Sequence, residues 1–112
     1  MDDEWAVLVF AALAQSTRLG VFRLLVAREP EGMAAGAIAR ALGVPHNTLS
    51  THLAVLSRAC LVGAERRSRL IVYRARLATV RELTGFLVTD CCGGRPEICA
   101  PLLSALETCR AA

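Results

Sequence analysis

The chain is short, apolar and weakly basic. Its 112 residues are enough for one domain with one core and too few for two. An apolar fraction of 54% excludes long disordered tracts, and the longest apolar run, residues 5–14, cannot span a bilayer. The acidic start, residues 1–4, lacks the basic region of a signal peptide, so we expect a cytoplasmic protein with no membrane partner.

The net charge of +3 is too small to indicate nucleic-acid binding by itself. The distribution of the charge is more informative, because five arginines fall within residues 66–76. A basic segment of this kind is an electrostatic footprint for nucleic acid, or else a solvated hairpin surface.

The first predicted helix, residues 4–14, has almost no polar face. A helix that is apolar all round must be covered, and a chain this short has few places to bury one. We therefore expect a subunit interface and a homodimer. Ser16 is a candidate N-cap for a second helix at 17–28, which the Pro and Gly of residues 29–32 would end.

Two further helices, at 34–42 and 48–61, are separated by a short turn containing Gly43, the expected C-cap of the first. This spacing predicts a helix-turn-helix over about 34–62. Gly63 is expected to end the second helix. The apolar residues of this helix recur at helical spacing, which places them on one face, opposite the polar residues. The apolar face contains Leu49, Leu53, Leu56 and Cys60, and the polar face contains Thr48, Ser50, Thr51, His52, Ser57 and Arg58.

Residues 62–66 and 69–74 alternate with a period of two and predict a β-hairpin with Arg67 and Ser68 at its tip. A hairpin that follows a helix-turn-helix is a wing, here spanning about 62–76. Helices are then expected at 77–89 and 96–110, within dimer and sensor helices spanning about 77–110. The chain is thus predicted to be one mainly α domain, residues 1–112, with a β-hairpin wing, and to dimerise through its first and C-terminal helices.

At this point the sequence resembles the ArsR/SmtB family of winged helix-turn-helix repressors over roughly residues 4–88. The most specific signal is the Leu-Ser-x-His-Leu-x-x-Leu pattern of residues 49–56. Supporting matches are Ala14-Gln15-Ser16-Thr17-Arg18-Leu19, Ile38-Ala39-Arg40-Ala41-Leu42-Gly43-Val44 and Tyr73-Arg74.

The resemblance implies a homodimer that binds double-stranded operator DNA without a cofactor and leaves it when a metal or metalloid binds. Within the pattern, Ser50 and His52 match the reading positions of the family. We expect two groups of DNA contacts. The major groove would be read by Asn47, Thr48, Ser50, Thr51 and His52, and the phosphate backbone would be bound by Arg66, Arg67 and Arg69.

Five cysteines, an odd number, argue against a disulfide framework in a cytosolic protein. Cys91 and Cys92 precede two glycines that can reverse the chain, and Cys99 would lie in the first turn of the last helix. Three converging thiolates select a soft centre such as trivalent arsenic or antimony. Zinc would need a fourth ligand, which Cys109, Glu97 or water could supply. Cys60 is expected in the core.

The resemblance adds a precedent, because some arsenic repressors of this family use a Cys-Cys pair and a third Cys near the C-terminus. Two other sensor sites of the family are absent from the sequence. Residues 34–42 have no Cys-x-Cys motif, and the only histidines, His46 and His52, lie in the DNA-binding unit. We therefore predict an arsenic(III)-responsive repressor with Cys91, Cys92 and Cys99 as ligands.

Several alternatives stay open at this level. The same cysteines could bind Cd²⁺ or Pb²⁺, act as a thiol redox switch, or bind no ligand in a DNA-binding structural protein. A small thiol enzyme would need a Cys-x-x-Cys motif or a nucleophilic Cys in a phosphate-type loop. Neither motif is present, so no enzyme activity is expected.

Overall fold

The structure is a computed structural model that describes residues 1–92, 95, 97–98, 100–101 and 104–105. The elements of that part of the chain with bounds are α1 (Asp3–Leu13), α2 (Ser16–Ala27), β1 (Met33–Ala34), α3 (Ala35–Leu42), α4 (His46–Arg58), β2 (Val62–Arg67), β3 (Leu70–Ala75) and α5 (Leu77–Cys92). The three strands form an antiparallel sheet of order β1-β3-β2. The mainly α class with a β-hairpin wing is therefore confirmed.

The corner between α1 and α2 differs from the sequence prediction in its capping residue. The predicted N-cap, Ser16, is already helical, and Gln15 takes the extended N-cap conformation instead. The Gln15 side-chain oxygen accepts a hydrogen bond from the Arg18 backbone N–H at 2.8 Å. Because this bond satisfies a backbone donor that no helical carbonyl reaches, Gln15 begins α2 in place of Ser16.

The core lies between α1, α2, α3, α4 and the base of the wing. The predicted apolar face of α4 is largely correct, since Leu49, Leu53 and Leu56 are all buried. They pack in one cluster with apolar side chains from the other elements. The fully buried partners with the largest side chains are Val9, Val21, Leu25, Ile38, Leu61 and Val62.

The end of α4 contradicts two predictions. The helix stops at Arg58 because Cys60 adopts a left-handed conformation with φ 61°, which turns the chain out of the helix. The Leu61 N–H then bonds to the Leu56 carbonyl, and the Cys60 N–H bonds to the Ser57 carbonyl. These two bonds form the capping motif that closes many helices.

As a result, Cys60 is exposed rather than part of the core, and Ala59 and Leu61 on either side of it are buried. Gly63, which was expected to close the helix, lies in β2. The helical spacing could not reveal this turn, because a left-handed cap is usually glycine and here is cysteine.

The wing forms as predicted in position, with β2 and β3 paired from Val62↔Ala75 to Arg67↔Leu70. Its tip is shifted by one residue to Ser68 and Arg69, with Ser68 at φ 59°. The two-residue strand β1, which pairs with β3, was missed because it is too short to show an alternating pattern.

Helix α5 is three residues longer than expected and makes few contacts with the rest of the described chain. Its first turn is held by Thr79, which is buried. Of the predicted last helix, residues 97–98, 100–101 and 104–105 are helical, and its other residues lie outside the described part. No single helix of the described residues is long and apolar enough to cross a membrane; α1 and α2 pass that test only as a pair bent by 96°.

Gly43 ends α3 at φ 66° and ψ 35°, and a Cβ there would meet no atom within 4 Å. Gly43→Ala should therefore destabilise the protein through backbone strain alone, by about 1–2 kcal/mol. Gly36→Ala, in the same helix but without a positive φ, is the control and should be neutral or stabilising. Urea unfolding measures both, and equal effects of the two substitutions would contradict the assignment.

Candidate nucleic-acid interface

The exposed face of α4 is made of short polar side chains. Asn47, Thr48, Ser50 and Thr51 are all exposed. The Ser50 hydroxyl donates to the His46 carbonyl at 3.1 Å, and the Thr51 hydroxyl donates to the Asn47 carbonyl at 3.4 Å. Each hydroxyl oxygen keeps lone pairs that can accept a further hydrogen bond. Four of the five predicted groove-reading residues thus share one accessible face.

The fifth, His52, is half-buried and faces the start of α2. Its Nδ1 atom lies 3.4 Å from Nη1 of Arg18. The structure therefore places His52 at the boundary between the exposed face of α4 and the α1–α2 corner. The sequence pattern put His52 on the polar face but gave no sign of this arginine contact.

The three predicted phosphate-binding arginines of the wing have different surroundings. Arg66 and Arg69 are exposed, and no described carboxylate pairs with either of them. Arg67 instead donates from Nη1 to the Glu31 carbonyl at 2.7 Å and from Nη2 to Oε2 of Glu65 at 3.0 Å. Of these three arginines, Arg66 and Arg69 therefore keep an uncompensated positive charge.

A second arginine of the wing, Arg74, is also paired. It makes a bidentate contact with Glu29, with Nη2–Oε2 2.7 Å and Nε–Oε1 3.2 Å, and its Nη1 lies 3.0 Å from Oε1 of Glu65. The hydrogen bond from Arg74 lowers the pKa of Glu29. The hydrogen bond from Arg67, and to a smaller extent the one from Arg74, lowers the pKa of Glu65. The Arg74–Glu29 pair attaches the wing to the loop between α2 and β1.

Two side chains hold the turn that directly follows α4, where carbonyls lack helical partners. The indole Nε1 of Trp5, in α1, donates to the Ala59 carbonyl at 3.1 Å. The hydroxyl of Thr79, in α5, donates to the Cys60 carbonyl in a short hydrogen bond. Helices α1 and α5 are thus both hydrogen-bonded to the turn at the end of α4. The sequence gave no signal for either bond, since both cross more than eighteen residues of chain.

The predicted metal ligands lie largely outside the described part of the chain. Cys91 and Cys92 are the last two residues of α5. Their side chains, and the whole of Cys99 and Cys109, lie outside the described residues. Within the part of the chain that is described, no group of three His, Cys, Asp or Glu side chains could hold a metal ion.

A protein-family model described as a helix-turn-helix domain matches residues 13–62. Among curated protein sequences, none matches this chain. An ArsR-like transcriptional regulator from Rhodococcus sp. RHA1 is 25% identical, with a TM-score of 0.72 over 94% of this chain and 92% of that one.

Two structures of regulator fragments from Mycobacterium bovis are also similar. One is the homodimeric winged helix-turn-helix DNA-binding domain of a possible ArsR-family transcriptional regulator, 28% identical with a TM-score of 0.62 over 80% of this chain and 87% of that one. The other, from a possible transcriptional regulatory protein, is 30% identical with a TM-score of 0.61 over 78% of this chain and 91% of that one.

The fold and the exposed polar helix define a winged helix-turn-helix DNA-binding protein. The chain belongs to the ArsR family of transcriptional regulators, as the resemblance in residues 49–56 implied. The fold and the family are those of DNA-binding regulators rather than of enzymes.

If Arg66 and Arg69 bind phosphates, replacing each by Ala should weaken binding to a duplex of mixed sequence. The slope of log affinity against log salt should fall by about 1 for each arginine, because fewer counterions are released. Fluorescence anisotropy at several salt concentrations measures this slope. Arg23→Ala, at an exposed arginine of α2, is the control and should leave the slope unchanged. Unchanged slopes for both wing variants would contradict the assignment.

Proposed function

We propose that the protein is a homodimeric repressor that releases its operator when trivalent arsenic or antimony binds Cys91, Cys92 and Cys99. The observation that carries this proposal is the course of α5. This helix is hydrogen-bonded to the end of α4 through Thr79 in its first turn, and it ends at Cys91 and Cys92. One continuous helix therefore connects the proposed sensor to the helix proposed to read DNA.

Dimerisation is supported by apolar side chains that the single chain leaves exposed. On α1, Val7 is 66% exposed and Phe10 is 42% exposed, and Leu8 lies between them. On α5, Leu77 and Leu87 are also exposed. Clustered apolar exposure of this kind marks an interaction surface. The homodimeric Mycobacterium bovis domain supports a second copy of the same chain as the partner.

Val7→Glu should convert the dimer into monomers, because it places a charge at the most exposed apolar position of α1. Light scattering after size-exclusion chromatography measures the mass. The matched control is Ile71→Glu, at a wing position that is 54% exposed and lies outside both helices proposed to form the interface, which should leave the mass unchanged. Dimers of Val7→Glu would refute α1 as the interface.

A two-fold dimer would place two copies of α4 in successive major grooves of a symmetric operator. The short polar groups of α4 suit base edges, and Arg66 and Arg69 of each wing suit the flanking phosphates. This arrangement makes operator affinity depend on the distance and tilt between the two copies of α4.

The proposed ligand set is chemically selective. Thiolates are soft ligands and favour soft, thiophilic centres over hard cations. Three thiolate bonds complete the pyramidal coordination of trivalent arsenic or antimony, which keeps a lone pair in the fourth direction. Each bond from sulfur to arsenic replaces one bond from arsenic to a hydroxyl group of arsenous acid, and that hydroxyl group leaves as water with the thiol proton. Three waters are released in all, and no oxidation state changes.

Closure of the three cysteines around arsenic would displace the end of α5. The Thr79 hydroxyl would carry this displacement to the Cys60 carbonyl and hence to α4. Trp5 ties the neighbouring carbonyl to α1, so the two helices proposed to form the dimer act on the same end of α4. By linkage, bound operator must weaken arsenic binding by the factor by which arsenic weakens operator binding.

The test uses a duplex selected from random sequence by the wild-type protein. Arsenite should release the wild type from this duplex in a gel-shift titration, and the variant carrying both Cys91→Ser and Cys92→Ser should stay bound because the ligand set is incomplete. Cys60→Ser, at a cysteine exposed outside α5, is the matched control and should respond like the wild type.

Release of the double variant at the wild-type arsenite concentration would show that these cysteines are not the site. Parallel titrations with antimonite, Cd²⁺ and peroxide define the effector. Release by Cd²⁺ alone would identify another soft metal as the effector in place of arsenic. Release by peroxide alone, reversed by a reductant, would identify thiol oxidation as the signal.

A further inference from the structure

Arg18 joins the end of α1 to the proposed reading helix. Its Nε donates to the Ala12 carbonyl at 2.7 Å, and its Nη2 donates to the Ala11 carbonyl at 3.3 Å. Its third contact is Nη1 to Nδ1 of His52, at 3.4 Å. A single guanidinium therefore bridges two carbonyls near the end of α1 and an imidazole of α4.

The hydrogen bond between Arg18 and His52 can run in only one direction, with arginine as the donor. Arginine has donors and no acceptor, and it stays protonated in proteins. Nδ1 of His52 must therefore be the acceptor and carry no proton. The proton of the neutral ring is then on Nε2, which becomes the only donor of the side chain.

The Nε2 atom keeps its hydrogen-bonding capacity for a partner outside the described residues. No hydrogen bond within the described residues involves it. In the same part of the structure, no buried side-chain nitrogen or oxygen lacks a partner. Nε2, which has no partner among those residues, is therefore at least partly exposed to solvent, at the edge of the face that carries Ser50 and Thr51.

We infer that Arg18 is a positioning residue for DNA recognition: it fixes His52 as the Nε2–H tautomer, so that α4 presents a single donor to an acceptor on DNA. The inference rests on the proposed role of α4 as the reading helix. The acceptor is a purine N7 in the major groove or a phosphate oxygen. Because Arg18 also binds α1 carbonyls, the orientation of this donor is set from the end of α1.

The first experiment measures the tautomer by nitrogen NMR of the DNA-free protein labelled at histidine. The chain has two histidines, and the side chain of His46 makes no hydrogen bond within the described residues, so it serves as the internal reference. We expect the Nε2–H form to be more dominant at His52 than at His46. A dominant Nδ1–H form at His52 in the wild type would overturn the inference without any variant.

The second experiment compares Arg18→Lys with the wild type. Lysine keeps the charge but cannot reproduce the guanidinium fork, so a role that needs only charge would survive. We expect the His52 tautomer to approach that of His46 and operator affinity to fall about three- to tenfold, as for one lost hydrogen bond. In a His52→Ala background the same substitution should have little further effect. Full additivity of the two substitutions would overturn the inference.

The third experiment identifies the acceptor and separates this inference from the proposed function. Replacing purines by 7-deazapurines, or phosphates by methylphosphonates, should abolish the effect of His52→Ala at one position of the operator. Persistence of that effect on every substituted duplex would overturn the inference. Ser50→Ala and Thr51→Ala test α4 itself. If they leave affinity unchanged, the reading-helix assignment fails; if they lower it and Arg18→Lys does not, only the role of Arg18 fails.

Discussion

The carbonyls at the end of α4 are the constraint on which the arrangement of the domain depends. A helix cannot satisfy its last carbonyls by itself, and a buried carbonyl without a partner is costly. Here the Ala59 and Cys60 carbonyls receive hydrogen bonds from Trp5 of α1 and Thr79 of α5. Each such bond contributes about 1 kcal/mol, so the two helices are held to α4 by specific contacts as well as by apolar packing.

The arginines of the wing differ in whether a carboxylate neutralises their charge. The sequence places five arginines in this segment and presents them as one basic patch. Two of them, Arg67 and Arg74, are paired with Glu65 and Glu29. The Arg74–Glu29 pair attaches the hairpin to the loop before β1, and the pairs with Glu65 lie within the hairpin. Of the other three, Arg66 and Arg69 stand further along the hairpin, where a phosphate backbone can approach them, and Arg76 directly follows β3.

Sequence reasoning predicted the parts of the fold that periodicity encodes. The spacing of Leu49, Leu53 and Leu56 located α4 and its buried face, and alternation located the wing. The turn at Cys60 was not predictable in this way, because a left-handed conformation at a cysteine leaves no mark in an apolar pattern. The short strand β1 was missed for a similar reason, since pairing with β3 defines it.

The candidate site was also predictable from the sequence only in part. Residue type and helical position were enough to place Asn47, Thr48, Ser50 and Thr51 on an exposed face. The contact between Arg18 and His52 joins residues 34 apart in the chain, so only the packed structure brings it into view. The segment Gln15–Leu19 carried part of the family resemblance, and it contains both the cap of α2 and this arginine. The ligand role of the cysteines remains a prediction from their chemistry.

The length of α5 has a mechanical consequence. From Thr79 to Cys91 the helix rises roughly 18 Å, at about 1.5 Å per residue. A rigid rod held near one end converts a wide sideways motion of its free end into a small rotation at the pivot. If α5 behaves in this way, a displacement of several ångströms at the thiols reaches α4 as a tilt of modest size. Inserting one helical turn between pivot and thiols would lengthen the lever and weaken that transmission while keeping the thiols on nearly the same side of the helix. Inserting two residues would instead rotate the thiols by about 200° around the helix axis. The length of one helix therefore sets both the size and the direction of the response.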